Sequence, residues 1–192
     1  MNISKTTTRD LVTIALFVAL IAVMAQITIP LPYVPLTMQT FAIMLAGVVL
    51  GAKRGAIAVC FYLLLGALGA PVFSAFQGGF GMLIGATGGF LLSFPLQAFI
   101  AGYVSDRVQI GKKSSKASVS QYFMLGAGLV LAFALNLTAG SLQLALVMQI
   151  GIPAAFLAGM IPFIVPELLK ALLVLIIAPK IRAVLSASQE AD

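Results

Sequence analysis

Six apolar runs follow one another along the chain, at residues 11–29, 36–52, 55–70, 82–104, 118–138 and 165–184. Most have the roughly 17–25 residues that a helix needs to cross about 30 Å of hydrocarbon at 1.5 Å per residue. The third is short and ends before Pro71. Charge is too scarce for water to be the solvent: apolar residues fill 61% of the 192 positions and charged residues 8%, against about 25% charge in a soluble domain. The sequence therefore predicts an all-α integral membrane protein, a bundle of six transmembrane helices forming a single membrane domain over residues 1–192. Residues 140–163 are apolar but broken by Gly140, Gly151, Pro153 and Pro162. Short interfacial or re-entrant helices are expected there, with no further crossing.

The cations orient the bundle. Lys5 and Arg9 precede the first run, Lys53 and Arg54 lie between the second and third, and Arg107, Lys112, Lys113 and Lys116 lie between the fourth and fifth. Lys180 and Arg182 close the sixth. Connections of the other parity carry no charge, so the positive-inside rule places both termini in the cytoplasm. The formal net charge of +6 fits this topology, and no nucleic-acid partner is expected. Residues 23–25 read Val-Met-Ala, which is not a small-x-small cleavage signal, so the first run is expected to remain as a span.

Histidine is absent and Cys60 is the single cysteine. That excludes a Ser-His or Cys-His nucleophile, a His-ligated zinc site and an intramolecular disulfide. No enzyme activity, metal or cofactor is expected. Cys60 reads as a small packing residue within an apolar helix.

Two charges stand apart from the topology. Glu167 and Lys170 sit three residues apart in Pro166-Glu167-Leu168-Leu169-Lys170, a spacing that puts both on one helix face. An unpaired charge at mid-membrane costs at least ~2.5–3.5 kcal/mol, so such residues face a cavity or a partner. From Glu167 to Arg182 is about 22 Å of helix, which places the pair toward the outer leaflet. Pro166 suits the first helical position, and Glu167 the positive end of the helix. Three roles fit the spacing: binding a solute at the outer mouth, a salt bridge fixing the last helix, or Lys170 snorkelling to headgroups.

The outer loops are uncharged. Pro30, Pro32 and Pro35 hold residues 29–39 extended, either as a lid or lying in the headgroup region. Glycines crowd Gly66–Gly89 without the Lys-Ser/Thr ending of a phosphate loop. Gly81, Gly85 and Gly89 recur every four residues, a spacing that more often packs helices than touches ligand. Phe73, Phe76 and Phe80 either wall an apolar pocket or anchor at the interface. Ala15, Ala19 and Ala22 line one face of the first helix, and Gly47, Gly51 and Gly55 form a ridge down the second. Such ridges pack helices within a bundle or against another membrane protein.

Four stretches, IPLPYVPLTMQTFAIMLAGVVLGAKRGA (29–56), YLLLGALGAPVF (62–73), GATGGFLLSFPLQAFIAG (85–102) and GMIPFIVPELLKALL (159–173), give the chain a resemblance to the BioY family. These are the biotin-specific substrate-binding S components of energy-coupling factor transporters. The resemblance implies a six-helix S-component fold that captures biotin from the outer face of a prokaryotic plasma membrane. It implies partners as well: a transmembrane coupling subunit and two ATPase subunits, since the chain has no Walker A motif. The family's carboxylate and lysine of the last helix fall on Glu167 and Lys170, and its docking alanines on Ala15 and Ala19. The usual aspartate is here Glu167, and the usual Gly-Pro-Thr-Gly-Gly is here Gly-Ala-Thr-Gly-Gly with Ala86.

Biotin's cyclic urea offers two N–H donors and one carbonyl, which a carboxylate and an ammonium complement. Tyr33, Phe73, Thr37, Gln39, Gln77 and Thr87 complete the candidate binding set, with Thr37, Gln39, Gln77, Thr87 or backbone amides of the glycine loops as candidates for the valerate carboxylate. A stand-alone biotin facilitator or carrier, and an S component for another vitamin, are the alternatives.

Overall fold

A computed structural model of the protein describes residues 8–108 and 118–189, with side chains as far as Leu185. The chain runs as α1 (Thr8–Gln26), a two-residue strand β1 (Thr28–Ile29), β2 (Leu36–Thr37), α2 (Gln39–Leu50), α3 (Ala52–Ala67), a 3-10 turn at Ser74–Phe76, the single turn α4 (Gly81–Ile84), α5 (Gly88–Val108), α6 (Val119–Met148), α7 (Ile152–Gly159), a 3-10 turn at Ile161–Phe163 and α8 (Ile164–Gln189). Among the described residues four helical segments, Thr8–Gln26, Gly88–Val108, Val119–Met148 and Ile152–Leu185, are long and apolar enough to cross a membrane. The chain is a multi-span membrane protein.

At the centre stands α2. Residues 39–49 are all buried, and the helix touches α1, α3, α5 and α8. A helix apolar all round belongs inside a bundle. Close approach depends on absent side chains: a Cβ on Gly47 would fall 2.2 Å from the Ala98 carbonyl oxygen of α5. The same holds between α6 and α5, where a Cβ on Gly140 would fall 2.2 Å from the Phe90 ring.

The expected boundaries shift for identifiable reasons. The second run shortens to 12 residues because Leu36 and Thr37 pair with Ile29 and Thr28 as an antiparallel ladder. The third begins earlier, at Ala52, because Gly51 takes φ +83° and Asp106 accepts from the Ala52 N–H at 3.0 Å. The glycine ridge is therefore a corner: Gly47 lies on α2, Gly51 at the turn and Gly55 on α3, packed on Gly47. Gly81, Gly85 and Gly89 do not share a helix either. Gly85 ends α4 and Gly89 belongs to α5, where a Cβ would meet the Ala139 carbonyl at 2.5 Å.

The fifth run continues to Met148, because Gly140 is a packing contact and not a break. Only α7 and the following 3-10 turn form the short pieces expected between 140 and 163. Pro166 is the third residue of α8 instead of the first. Cys60 faces outward from α3 and does not pack inside.

One end of the bundle gathers charge. Arg54 pairs with Asp10 at 2.8 Å, joining α3 to α1, and Arg182 pairs with Asp106 at 2.5 Å, joining α8 to α5. Arg182 also donates to the Val48 carbonyl of α2 at 3.0 Å and to the Ser105 hydroxyl. Of the cations foreseen on one side, Arg54 and Arg182 are the two these contacts bring to this end of the bundle. Lys5, Lys112, Lys113 and Lys116 lie outside the described residues.

Candidate ligand-binding site

About fifteen residues back along α8, at the other end of the bundle, lies the second ionic cluster. Lys170 Nζ stands 2.6 Å from Glu167 Oε1, and the two side chains are 6% and 3% exposed. Their i,i+3 spacing turns both toward α2, where Thr40 joins them. The Thr40 hydroxyl donates to Glu167 Oε1 at 2.7 Å and accepts from Lys170 Nζ at 2.9 Å. Glu167 Oε2 is buried and has no partner. An ammonium has three N–H donors, so the cluster keeps one donor and one acceptor in reserve.

These groups form part of the wall of a pocket with about 550 Å³ of empty space, its open mouth included. Apolar surface comes from Phe73, Phe90, Phe94, Leu137 and Phe163. Val34 and Pro35 of the loop between β1 and β2 also line it, so the proline-rich segment covers one side of the pocket. Polar lining comes from Thr37, Gln39, Ser74, Thr87 and Asn136.

Several of these positions are held by their neighbours. Gln39 Nε2 donates to the Tyr62 hydroxyl at 2.6 Å, which in turn donates to the Val72 carbonyl at 2.9 Å. Asn136 Nδ2 donates to the Phe90 carbonyl and the Ser93 hydroxyl, both at 2.8 Å. Gln143 Nε2 donates to the Leu83 and Gly85 carbonyls at 3.1 and 3.0 Å, and so fixes the turn that presents Thr87. The buried ring of Phe73 lies on α3 so closely that a Cβ on Gly66 would fall 2.2 Å from it. Gln26, at the end of α1, accepts from Phe76 N at 2.8 Å and donates to the Phe73 carbonyl at 3.1 Å.

Of the residues singled out in the sequence, Glu167, Lys170, Thr37, Gln39, Phe73 and Thr87 meet in this pocket. Tyr33 and Gln77 do not: both are exposed and neither lines it. Tyr33 projects away from its loop while its neighbour Val34 turns inward. Phe76 and Phe80 also point outward, at 70% and 64% exposure, so Phe73 alone of the three phenylalanines walls the pocket. Thr40 and Asn136 were not foreseen. An amide amid the apolar residues of α6 was a legible signal; a threonine at the head of α2 was not. Ala15 and Ala19 are exposed on α1, opposite its buried stripe of Ile14, Phe17, Ile21 and Ala25.

Apolar helices closing around a pocket that holds a buried ion pair define a membrane-embedded helical bundle with an internal polar site. The chain belongs to the BioY family, whose model matches residues 1–187. It is 38% identical over 177 residues to the biotin transporter BioY of Thermotoga maritima, covering 91% of this chain and 96% of that one. With the biotin transporter BioY of Rhizobium etli it shares 40% identity over 170 residues, covering 85% and 88%. Its fold matches the crystal structure of the S-component for biotin from an ECF-type ABC transporter, with a TM-score of 0.81 over 95% of both chains at 24% identity. The family is one of transporters, not enzymes.

Proposed function

We propose that this protein is the biotin-capturing subunit of an energy-coupling factor transporter in a prokaryotic plasma membrane. It takes biotin from the outer face and delivers it with a transmembrane coupling subunit and two ATPase subunits. Its termini lie in the cytoplasm, on the side of the clustered basic residues. The relatives named as biotin transporters support the substrate, and the S-component fold supports the division of labour.

The observation that carries this reading is the buried ion pair itself, in which Glu167 Oε2 has no partner and Lys170 has a third N–H not used by Glu167 or Thr40. One edge of a cyclic urea presents an N–H next to a C=O. Glu167 accepts from the first and Lys170 donates to the second, so both groups gain matched partners inside the bundle. Phe73, Phe90 and Phe94 bury the sulfur-containing ring and the aliphatic chain.

Glu167→Ala is expected to abolish biotin binding by the purified protein, measured by calorimetric titration. The variant leaves a buried lysine without its anion, a change that costs about 3–5 kcal/mol, so a melting curve run alongside separates loss of binding from loss of fold. Wild-type affinity in a folded Glu167→Ala protein would sink the assignment. Uptake in cells lacking every coupling subunit distinguishes the stand-alone carrier: the proposed subunit delivers no biotin there.

A further inference from the structure

The pocket carries charge at one place. Among its described lining residues only Glu167 and Lys170 are ionic, and they are engaged with each other at 2.6 Å. Thr37, Gln39, Ser74, Thr87 and Asn136 add polarity without charge. The proposed ligand, however, ends in a carboxylate, and an anion must be placed somewhere.

It does not fit at the ion pair. Glu167 Oε2 is buried and unpartnered, so a carboxylate there would set two like charges together in a site screened from water. Nor does it fit against the apolar walls, because burying an ion without a counter-charge costs several kcal/mol. The remaining place is the mouth, where Pro35, Thr37, Ser74 and Thr87 are partly exposed. An anion there keeps its hydration. The nearby hydroxyls of Thr37, Ser74 and Thr87 can donate to an amide or ester carbonyl as well as to a carboxylate, the difference between them being reduced by solvent at the mouth.

We infer that the pocket selects the cyclic urea and leaves the acid end unread, so that its substrate class comprises biotin together with its carboxyl amides and esters, the amide formed with a lysine side chain included. This rests on the biotin-binding reading and deepens it. A protein of this kind would capture biotin joined through an amide to a lysine as well as the free vitamin, with no bond made or broken.

The test is competition against labelled biotin on the purified full chain. Competitors are biotin, its primary amide, its methyl ester, its Nε-lysine amide, and the diamine acid that keeps the carboxylate but lacks the urea carbonyl. The amides and the ester are expected to compete within about tenfold of biotin, and the diamine acid to be at least about 100-fold weaker. Amides and ester weakened by more than tenfold would overturn the inference while leaving biotin binding intact, as would a diamine acid that competes like biotin. Failure of biotin itself to bind would remove the functional reading and the inference together.

Discussion

Thr40 donates to the Glu167 oxygen that also accepts from Lys170, and accepts from Lys170 in turn. It ties α2 to α8 at the point where the ligand is proposed to sit. Thr40→Val keeps the branched shape and removes the hydroxyl, leaving both charged groups short of a partner. Hydrogen bonds to charged groups contribute about 1.5–3 kcal/mol each, and part of that is recovered when the pair relaxes. A tenfold or greater loss of biotin affinity is expected by titration, with the fold retained. Unchanged affinity would mean that packing alone positions the pair. Glu167 and Lys170 were legible in the sequence because a charge in an apolar run is expensive and needs a reason. Thr40 was not, because a hydroxyl in a membrane helix needs none: it satisfies itself on the preceding turn, as Thr13 does on Arg9 and Thr138 on Ala134. Its role depends on a residue 127 positions away.

Between elements, the glycines decide how closely α2 can approach α5. The Ala98 carbonyl lies 2.2 Å from where a Gly47 Cβ would be, and a backbone oxygen inside a helix cannot turn aside as a side-chain tip can. Gly47→Ala must push α2 and α5 apart, and overpacking of this kind costs about 1–3 kcal/mol. A lower melting temperature is expected. Biotin affinity should fall with it, since α2 carries Thr40. Gly126→Ala is the matched control: its Cβ would meet only Leu175 at 3.5 Å, an ordinary contact, and alanine favours a helix by about 1 kcal/mol over glycine. It should leave the melting temperature unchanged or raise it. Equal melting temperatures for the two variants would contradict the packing account. Hydropathy located these helices but not their ends. A glycine such as Gly140 marks a break or a close contact according to what faces it, and only Phe90 decides which.

At the scale of the whole molecule, ionic contacts at one end tie α1 to α3 and α5 to α8, while the pocket opens at the other. The alternation of basic and uncharged connections announced this polarity, because charge placement is the one long-range constraint that a bilayer writes directly into sequence. What the sequence left open was which ridge of small residues faces inward. Gly47 and Gly55 pack against each other inside the bundle, whereas Ala15 and Ala19 lie on the outer side of α1. If lipid is the only neighbour of that side, larger apolar residues are harmless, because acyl chains accommodate leucine as well as alanine. If a coupling subunit packs there, the small residues let two helix backbones come close, and leucines hold them apart. The double substitution Ala15→Leu and Ala19→Leu is therefore expected to bind biotin within about twofold of the wild type in detergent, since neither position touches the pocket. In cells that carry the coupling and ATPase subunits, its biotin uptake should fall at least tenfold, a loss of about 1.4 kcal/mol or more in productive docking. Uptake at the wild-type rate would assign this face to lipid and move the docking surface elsewhere on the bundle.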